Sequence, residues 1–273
     1  MTRELLIEQI RIKKSFLCIG LDSEYEKLPP HLFQNADPVF EFNKQIIEST
    51  HDLAVAYKPN LAFYESRGVA GWQSLEKTVR YLRRNYPEIF TIADAKRGDI
   101  GNTSLQYAKA FLDDESGLGF DAVTVAPYMG SDSVQPFMSY PEKWAIVLAL
   151  TSNKGAVDFQ LQPMESGLSL WQTALTECAS WGTPENMMFV VGATQDSMFK
   201  KVRELVPNHF LLVPGVGAQG GSLEQVVMHG RNHEIGLIIN ASRSIIFASG
   251  GVDFASQARR EASQMQQAMQ ALI

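Results

Sequence analysis

Eight short apolar runs, most followed by a helical pattern, predict a (β/α)8 barrel, a TIM barrel, for this sequence. The runs are apolar at nearly every position, as expected of parallel strands covered on both faces. The length, 273 residues, suits eight strand–helix units in one closed barrel of about 250 residues. A doubly wound sheet would show the same alternation and stands as the alternative. No linker, low-complexity tract or repeat finer than the strand–helix unit interrupts the chain, so residues 1–273 are expected to form a single domain with a short N-terminal helix.

Glu4 to Lys14 reads as that helix, placed to cap the bottom of the barrel. The first strand is Ser15 to Gly20, closed by Leu21-Asp22. Pro29 and Pro30 mark a loop, and Pro38 to Ile47 shows helical spacing with Pro38 suited to a first turn. Leu53 to Tyr57 is the second strand, ended by Lys58-Pro59-Asn60; Gln73 to Tyr86 carries an apolar stripe of Leu75, Val79 and Leu82, stopped by Pro87. The third strand starts at Phe90 and is followed by a helix over Thr103 to Leu112. Ala122 to Val125 is the fourth strand, and Lys143 to Leu150 the fifth, ending at Thr151-Ser152-Asn153. A helix around Leu168 to Ser180 precedes the sixth strand, Met187 to Gly192, whose helix spans Phe199 to Val206. His209 to Gly215 and Ile235 to Asn240 are strands seven and eight, and Phe254 to Ile273 is the last helix. Glu224 to His233 reads as a solvated helix and turn.

Bulk properties narrow the function. Lys and Arg total 24 against 30 Asp and Glu, a net charge of −6, which lacks the dense basic footprint of nucleic-acid binding. Apolar residues make up 45 %, enough for a sizeable core, yet no apolar run approaches a membrane span and no signal segment opens the chain. Cys18 and Cys178 are the two cysteines, both in apolar surroundings, which points to a reducing compartment, the cytoplasm, and offers no ligand cluster. His31, His51, His209, His229 and His233 have no metal-ligand spacing, so no metal is expected. The ten methionines and four tryptophans read as packing material.

The chemistry collects where strands should end. Phe90 to Thr103 begins as a strand and turns into Asp94-Ala95-Lys96-Arg97-Gly98-Asp99. Alternation along a strand puts Asp94 and Lys96 on one face. Gly98 permits a turn, with a helix able to begin at Asp99, so one segment can present two carboxylates around a lysine. A solvated rim or an ordinary salt bridge would use the same residues. The wider pattern favours a site: Asp22, Lys58, Asp94, Lys96, Ser152, Pro214 and Arg243 all follow predicted strands, at the face where barrel enzymes carry their working loops. Val213 to Ser222, with Pro214, Gly215, Gly217, Gln219, Gly220 and Gly221, can bring backbone N–H groups close to an anion. Arg243, after the next strand, supplies a guanidinium fork for phosphate oxygens.

These residues together resemble orotidine 5'-phosphate decarboxylase. Asp94-x-Lys96-x-x-Asp99-Ile100 with Thr103, Lys58 after strand two, and Pro214-Gly215-x-Gly217-x-Gln219-Gly220-Gly221 carry the resemblance, which runs from Asp22 to Arg243. The Ala56-Tyr57-Lys58-Pro59-Asn60 form is similar to the longer bacterial subfamily, type 2. The resemblance implies conversion of orotidine monophosphate to UMP and CO2 in de novo pyrimidine biosynthesis, with no cofactor and no metal. It implies Lys96 as the acid that protonates C6, Asp94 against the substrate carboxylate, and Lys58 between Asp94 and a ribose-binding Asp22. It also implies Ser152 on the pyrimidine amide, and Pro214, Gln219, Gly220 and Arg243 around the phosphate. Asp99, Ile100 and Thr103 would reach the partner's site in a homodimer.

Two rivals remain open at this level. A sugar-phosphate decarboxylase or hexulose-phosphate synthase on the same barrel also carries Asp-x-Lys-x-x-Asp, works through Mg²⁺, and has an acid where this chain has Lys58; a cation there would repel the metal. The other rival is a non-catalytic phosphate-ligand binding protein, which would gain nothing from crowding two carboxylates around a lysine.

Overall fold

The computed structural model describes residues 1–193, 198–216 and 221–273. Eight parallel strands close into a barrel in sequence order: β1 Leu17–Gly20, β2 Ala56–Lys58, β3 Phe90–Arg97, β4 Ala122–Val125, β5 Trp144–Leu150, β6 Met187–Val191, β7 Phe210–Pro214 and β8 Leu237–Ala241. Closure comes from β1 pairing with β8, Leu17 against Ile239 and Cys18 against Asn240. Each run is apolar because each strand is covered twice, by the barrel interior and by the helical ring. β1, β4, β6 and β8 are buried at every position. The doubly wound alternative is excluded by the closed order.

The helices follow from their apolar spacing and caps. Pro38–Thr50 starts with Pro at its first turn and Asp37 accepting from the Phe40 N–H at 3.1 Å. Its buried face, Val39, Phe42, Ile46 and Ile47, repeats every three to four residues. Phe42 stacks on Phe254 of the last helix, Phe254–Gln270, with ring centroids 5.1 Å apart. Removing that fully buried ring would cost about 3–5 kcal/mol.

The N-terminal helix, Arg3–Lys13, lies under the barrel as expected. The Arg3 guanidinium donates to the Pro184 and Asn208 carbonyls and pairs with Glu234, tying together the approaches to β6, β7 and β8. The Met1 ammonium reaches Asp121 and the Glu142 carbonyl, before β4 and β5. Several boundaries differ from the expected ones. The helix expected from Gln73 begins at Gly68, and the one expected from Asp99 or Thr103 begins at Gly101, whose φ of +50° glycine accommodates. The segment read as solvated from Glu224 forms the helix Leu223–Gly230, with Val226 and Val227 buried against the barrel.

One irregularity matters for the site. Between β3 and β4 the register runs Ala93 to Val123 and then Arg97 to Val125, four steps along β3 against two along β4. Lys96, inside this bulge, has a φ of +48°.

Candidate active site

Two adjoining cavities open at the C-terminal ends of the strands. One, of about 180 Å³, is bounded by Asp22, Lys58, Asn60, Asp94, Pro214, Gly215 and Arg243 among others. The second, of about 260 Å³, has Lys58, Asp94, Lys96, Thr124, Ser152 and Pro214 among its walls, with Leu148, Val190 and Leu212 as its apolar side. Lys58, Asp94 and Pro214 border both, so the two form halves of one site. One half is polar and ends at an arginine; the other is apolar on one side and charged on the other. That suits a ligand with a phosphate end and a flat ring end. A third cleft of about 270 Å³ lies at the opposite face, beside Met1, Arg83, Asp114, Asp121 and Lys143. Its charges pair with each other, Arg83 and Lys143 both on Asp114, and it lies at the end of the barrel away from the strand-to-helix loops.

Asp94 is the centre of the array. Lys58 Nζ donates to Asp94 Oδ2 at 2.8 Å, and Lys96 Nζ donates to Asp94 Oδ1 at 2.6 Å. The Lys58 side chain is 5 % exposed and that of Lys96 49 %, so one ammonium is fixed and the other open to a ligand. Burial acts to raise the Asp94 pKa, but the Lys58 and Lys96 charges outweigh it and hold the carboxyl well below its ordinary range. Burial acts to lower the Lys58 pKa, and the charges of Asp94 and Asp22 outweigh it in the other direction. Asp22 Oδ1 is buried with no hydrogen-bond partner among the described residues, and so is free to accept from a ligand hydroxyl.

Within one chain the array is therefore a carboxylate between two lysines, not a lysine between two carboxylates. Asp99 does not join it. Its Oδ1 accepts from the Ile100 N–H at 2.8 Å, and Asp99, Ile100 and Thr103 border neither cavity half. Beyond the bulge the chain turns out to the helix Gly101–Leu112, which leaves Ile100 54 % exposed. Arg243 is exposed at the start of a short helix after β8, on the rim of the polar half. Ser152 borders the apolar half. Gln219 and Gly220 lie outside the described residues.

Two residues without an assigned role from sequence take positions here. Asn60 bridges to Asp94 through the backbone and borders the polar half; its place two after Lys58 was the available signal. Thr124 donates its hydroxyl hydrogen to Asp94 Oδ1 at 3.0 Å. Nothing local in Ala122-Val123-Thr124-Val125 announces that contact, because it depends on pairing with β3. Cys18 and Cys178 are both buried, their thiols pushed up to about 12 by desolvation, as fits inert packing groups.

Comparison with known proteins agrees with this geometry. A family model described as orotidine 5'-phosphate decarboxylase / HUMPS matches residues 15–258. The chain is 56 % identical over 273 residues to the orotidine 5'-phosphate decarboxylase of Flavobacterium johnsoniae, covering 100 % of this chain and 98 % of that one. It is 55 % identical over 273 residues to the enzyme of the same name from Phocaeicola vulgatus, covering 100 % and 99 %. Among solved structures, Leishmania donovani OMP decarboxylase superposes with a TM-score of 0.84 at 34 % identity, covering 100 % of this chain and 98 % of that chain. With a closed eight-stranded barrel and a charged array at the C-terminal end of β3, the chain belongs to the orotidine 5'-phosphate decarboxylase / HUMPS family.

Proposed function

We propose that this chain is a carboxy-lyase that converts orotidine 5'-monophosphate to UMP and CO2, a step of pyrimidine biosynthesis, with Lys96 as the proton donor. The observation that carries the reading is the Lys58–Asp94–Lys96 array, bordering both halves of a cavity that ends at Arg243. In the reaction the C6–carboxylate bond breaks, CO2 leaves, and the electron pair stays on C6. The Lys96 ammonium gives its proton to that carbon and is reprotonated from solvent. A fixed cation near a carbon that becomes anionic stabilises the transition state more than the ground state. Asp94, kept ionised by two lysines, faces the position of the substrate carboxylate and adds repulsion there. Asp22 and Asn60 border the region of the ribose. Arg243, Pro214, Gln219 and Gly220 serve the phosphate, whose binding energy holds the ring in place from a distance. Ser152 serves the pyrimidine amide.

The same reading makes the active species a homodimer, with Asp99, Ile100 and Thr103 completing the partner's site. Supporting it, these residues border neither half of their own chain's cavity, and exposed apolar side chains lie close by in the chain: Ile100 before the helix Gly101–Leu112, Leu105 within it, and Tyr128 and Met129 after β4. A cytoplasmic location fits this chemistry; among the described residues no helix is long and apolar enough to cross a membrane.

The discriminating experiment adds purified protein to orotidine monophosphate in excess EDTA and follows the substrate's ultraviolet absorbance. Decay to UMP is expected. Activity that appears only on a sugar phosphate with added Mg²⁺ would instead assign the chain to the sister activity of the family. Silence with both substrates, but tight UMP binding, would leave a binding protein.

A further inference from the structure

We infer that Thr124 on β4 is a positioning residue for the Lys96 ammonium, holding it where the proton is delivered. The inference rests on the reading of Lys96 as the proton donor. In a regular parallel pair the Lys96 N–H would find a carbonyl on the neighbouring strand. The register break between Ala93 and Arg97 removes that acceptor. Instead the Lys96 N–H donates to Thr124 Oγ1 at 2.9 Å, and the same hydroxyl donates to Asp94 Oδ1 at 3.0 Å. Asp94 Oδ1 is also the oxygen that receives Lys96 Nζ, at 2.6 Å.

The three residues form a closed ring of hydrogen bonds: Lys96 backbone to Thr124 hydroxyl, Thr124 hydroxyl to Asp94 carboxylate, and Lys96 ammonium to the same carboxylate oxygen. A hydroxyl has one hydrogen to give and lone pairs to receive, so it fits this node in both senses at once. A carbonyl, an ammonium or an alkyl group would not. The ring also explains the backbone. Lys96 has a φ of +48°, a left-handed conformation that residues other than Gly, Asn and Asp rarely adopt, and it persists because its N–H is captured there. Thr124 is 1 % exposed, so without the hydroxyl no bulk water replaces the lost acceptor. The bulge sets the direction of Lys96, and Thr124 fixes the bulge.

Thr124→Val keeps shape and removes the hydroxyl; Thr124→Ser keeps the hydroxyl and trims the methyl. Steady-state decarboxylation should show kcat of the valine variant reduced roughly tenfold to a hundredfold, with KM within about threefold of wild type, since the phosphate and ribose contacts lie elsewhere. Thr124→Ser should recover most of the lost turnover. A valine variant with kcat within about twofold of wild type overturns the inference, as does a raised KM at unchanged kcat, or a serine variant as slow as valine. Should the valine protein not fold, Thr124→Ala against Thr124→Ser makes the same comparison with the same limits. Lys96→Ala run alongside separates the two levels. If it stays active, the donor assignment fails and this inference with it; if it is inactive while Thr124→Val is fast, only the role of Thr124 fails.

Discussion

Asp94 and its two lysines form a charge arrangement that is stable across the neutral range, and the sign of each shift says why. The Asp94 carboxyl is held below its ordinary pKa of 3.8, so its contribution is complete above that pH and is lost only as pH falls through the depressed value. Lys58 is held above 10.5, so its contribution is complete below that pH and is lost only as pH rises through the raised value. Lys96→Ala leaves Lys58 in place to keep Asp94 ionised. Turnover should fall about a hundredfold or more, while UMP binding, followed by calorimetry, survives in part. Retention of over about a tenth of wild-type turnover would remove Lys96 as the proton donor. His209 shows the opposite case at the barrel's other end. Both ring nitrogens are buried without hydrogen-bond partners among the described residues. Burial, and then the Arg3 and Arg203 charges, lower its pKa from 6.5 to about 4, against a small opposing effect of Glu185. Between those values the unfolded chain takes up a proton that the folded one refuses, so stability falls as pH falls through that window, by roughly 1.4 kcal/mol per pH unit at most. His209→Leu should flatten the fall in urea midpoint over the window; an unchanged profile would assign acid sensitivity elsewhere.

Strands were legible as elements because a parallel barrel strand needs an unbroken apolar run, and few other structures do. Their ends were less so. The third strand keeps pairing through Arg97, past the charges that seemed to close it, because the bulge lets Asp94, Lys96 and Arg97 be polar without leaving the sheet. Strand-to-strand contact also makes a prediction at Gly192, just past the end of β6. A Cβ there would lie 2.7 Å from both the Ser152 backbone nitrogen and its Cβ. Those are fixed atoms beside the apolar half of the cavity, so Gly192→Ala must displace Ser152. KM should rise by about tenfold, with a smaller change in melting temperature than in affinity. An alanine variant with unaltered KM would separate Ser152 from substrate binding.

Closure of the barrel gathers residues from all eight strands, or from the loops that follow them, at one end, and the N-terminal helix closes the other. At the bottom Arg83 and Lys143 share Asp114; at the top Lys58 and Lys96 share Asp94, while Asp22 Oδ1 has no hydrogen-bond partner among the described residues. At this scale the homodimer is testable by complementation. Asp99→Ala and Lys96→Ala proteins, each inactive alone, are mixed under conditions of demonstrated subunit exchange. A hybrid dimer contains one site with an intact Lys96 and a partner's intact Asp99, so part of the wild-type activity should return. No recovery despite exchange would place Asp99 in its own chain's chemistry.

The sequence alone determined the strand count, the barrel and the face at which the candidate charged residues collect, since each of these depends on local pattern or on the rule that barrel loops carry function. Tertiary structure decided what touches what. The contact of Thr124 with Lys96 and Asp94 spans about thirty residues of chain and exists because two strands pair with a broken register. The orphaned carboxylate oxygen of Asp22, the sharing of Asp94 by two lysines, and the departure of Asp99 from its own site arise in the same way. Periodicity along a chain says which face a side chain takes; only closure of the sheet says which side chains meet there.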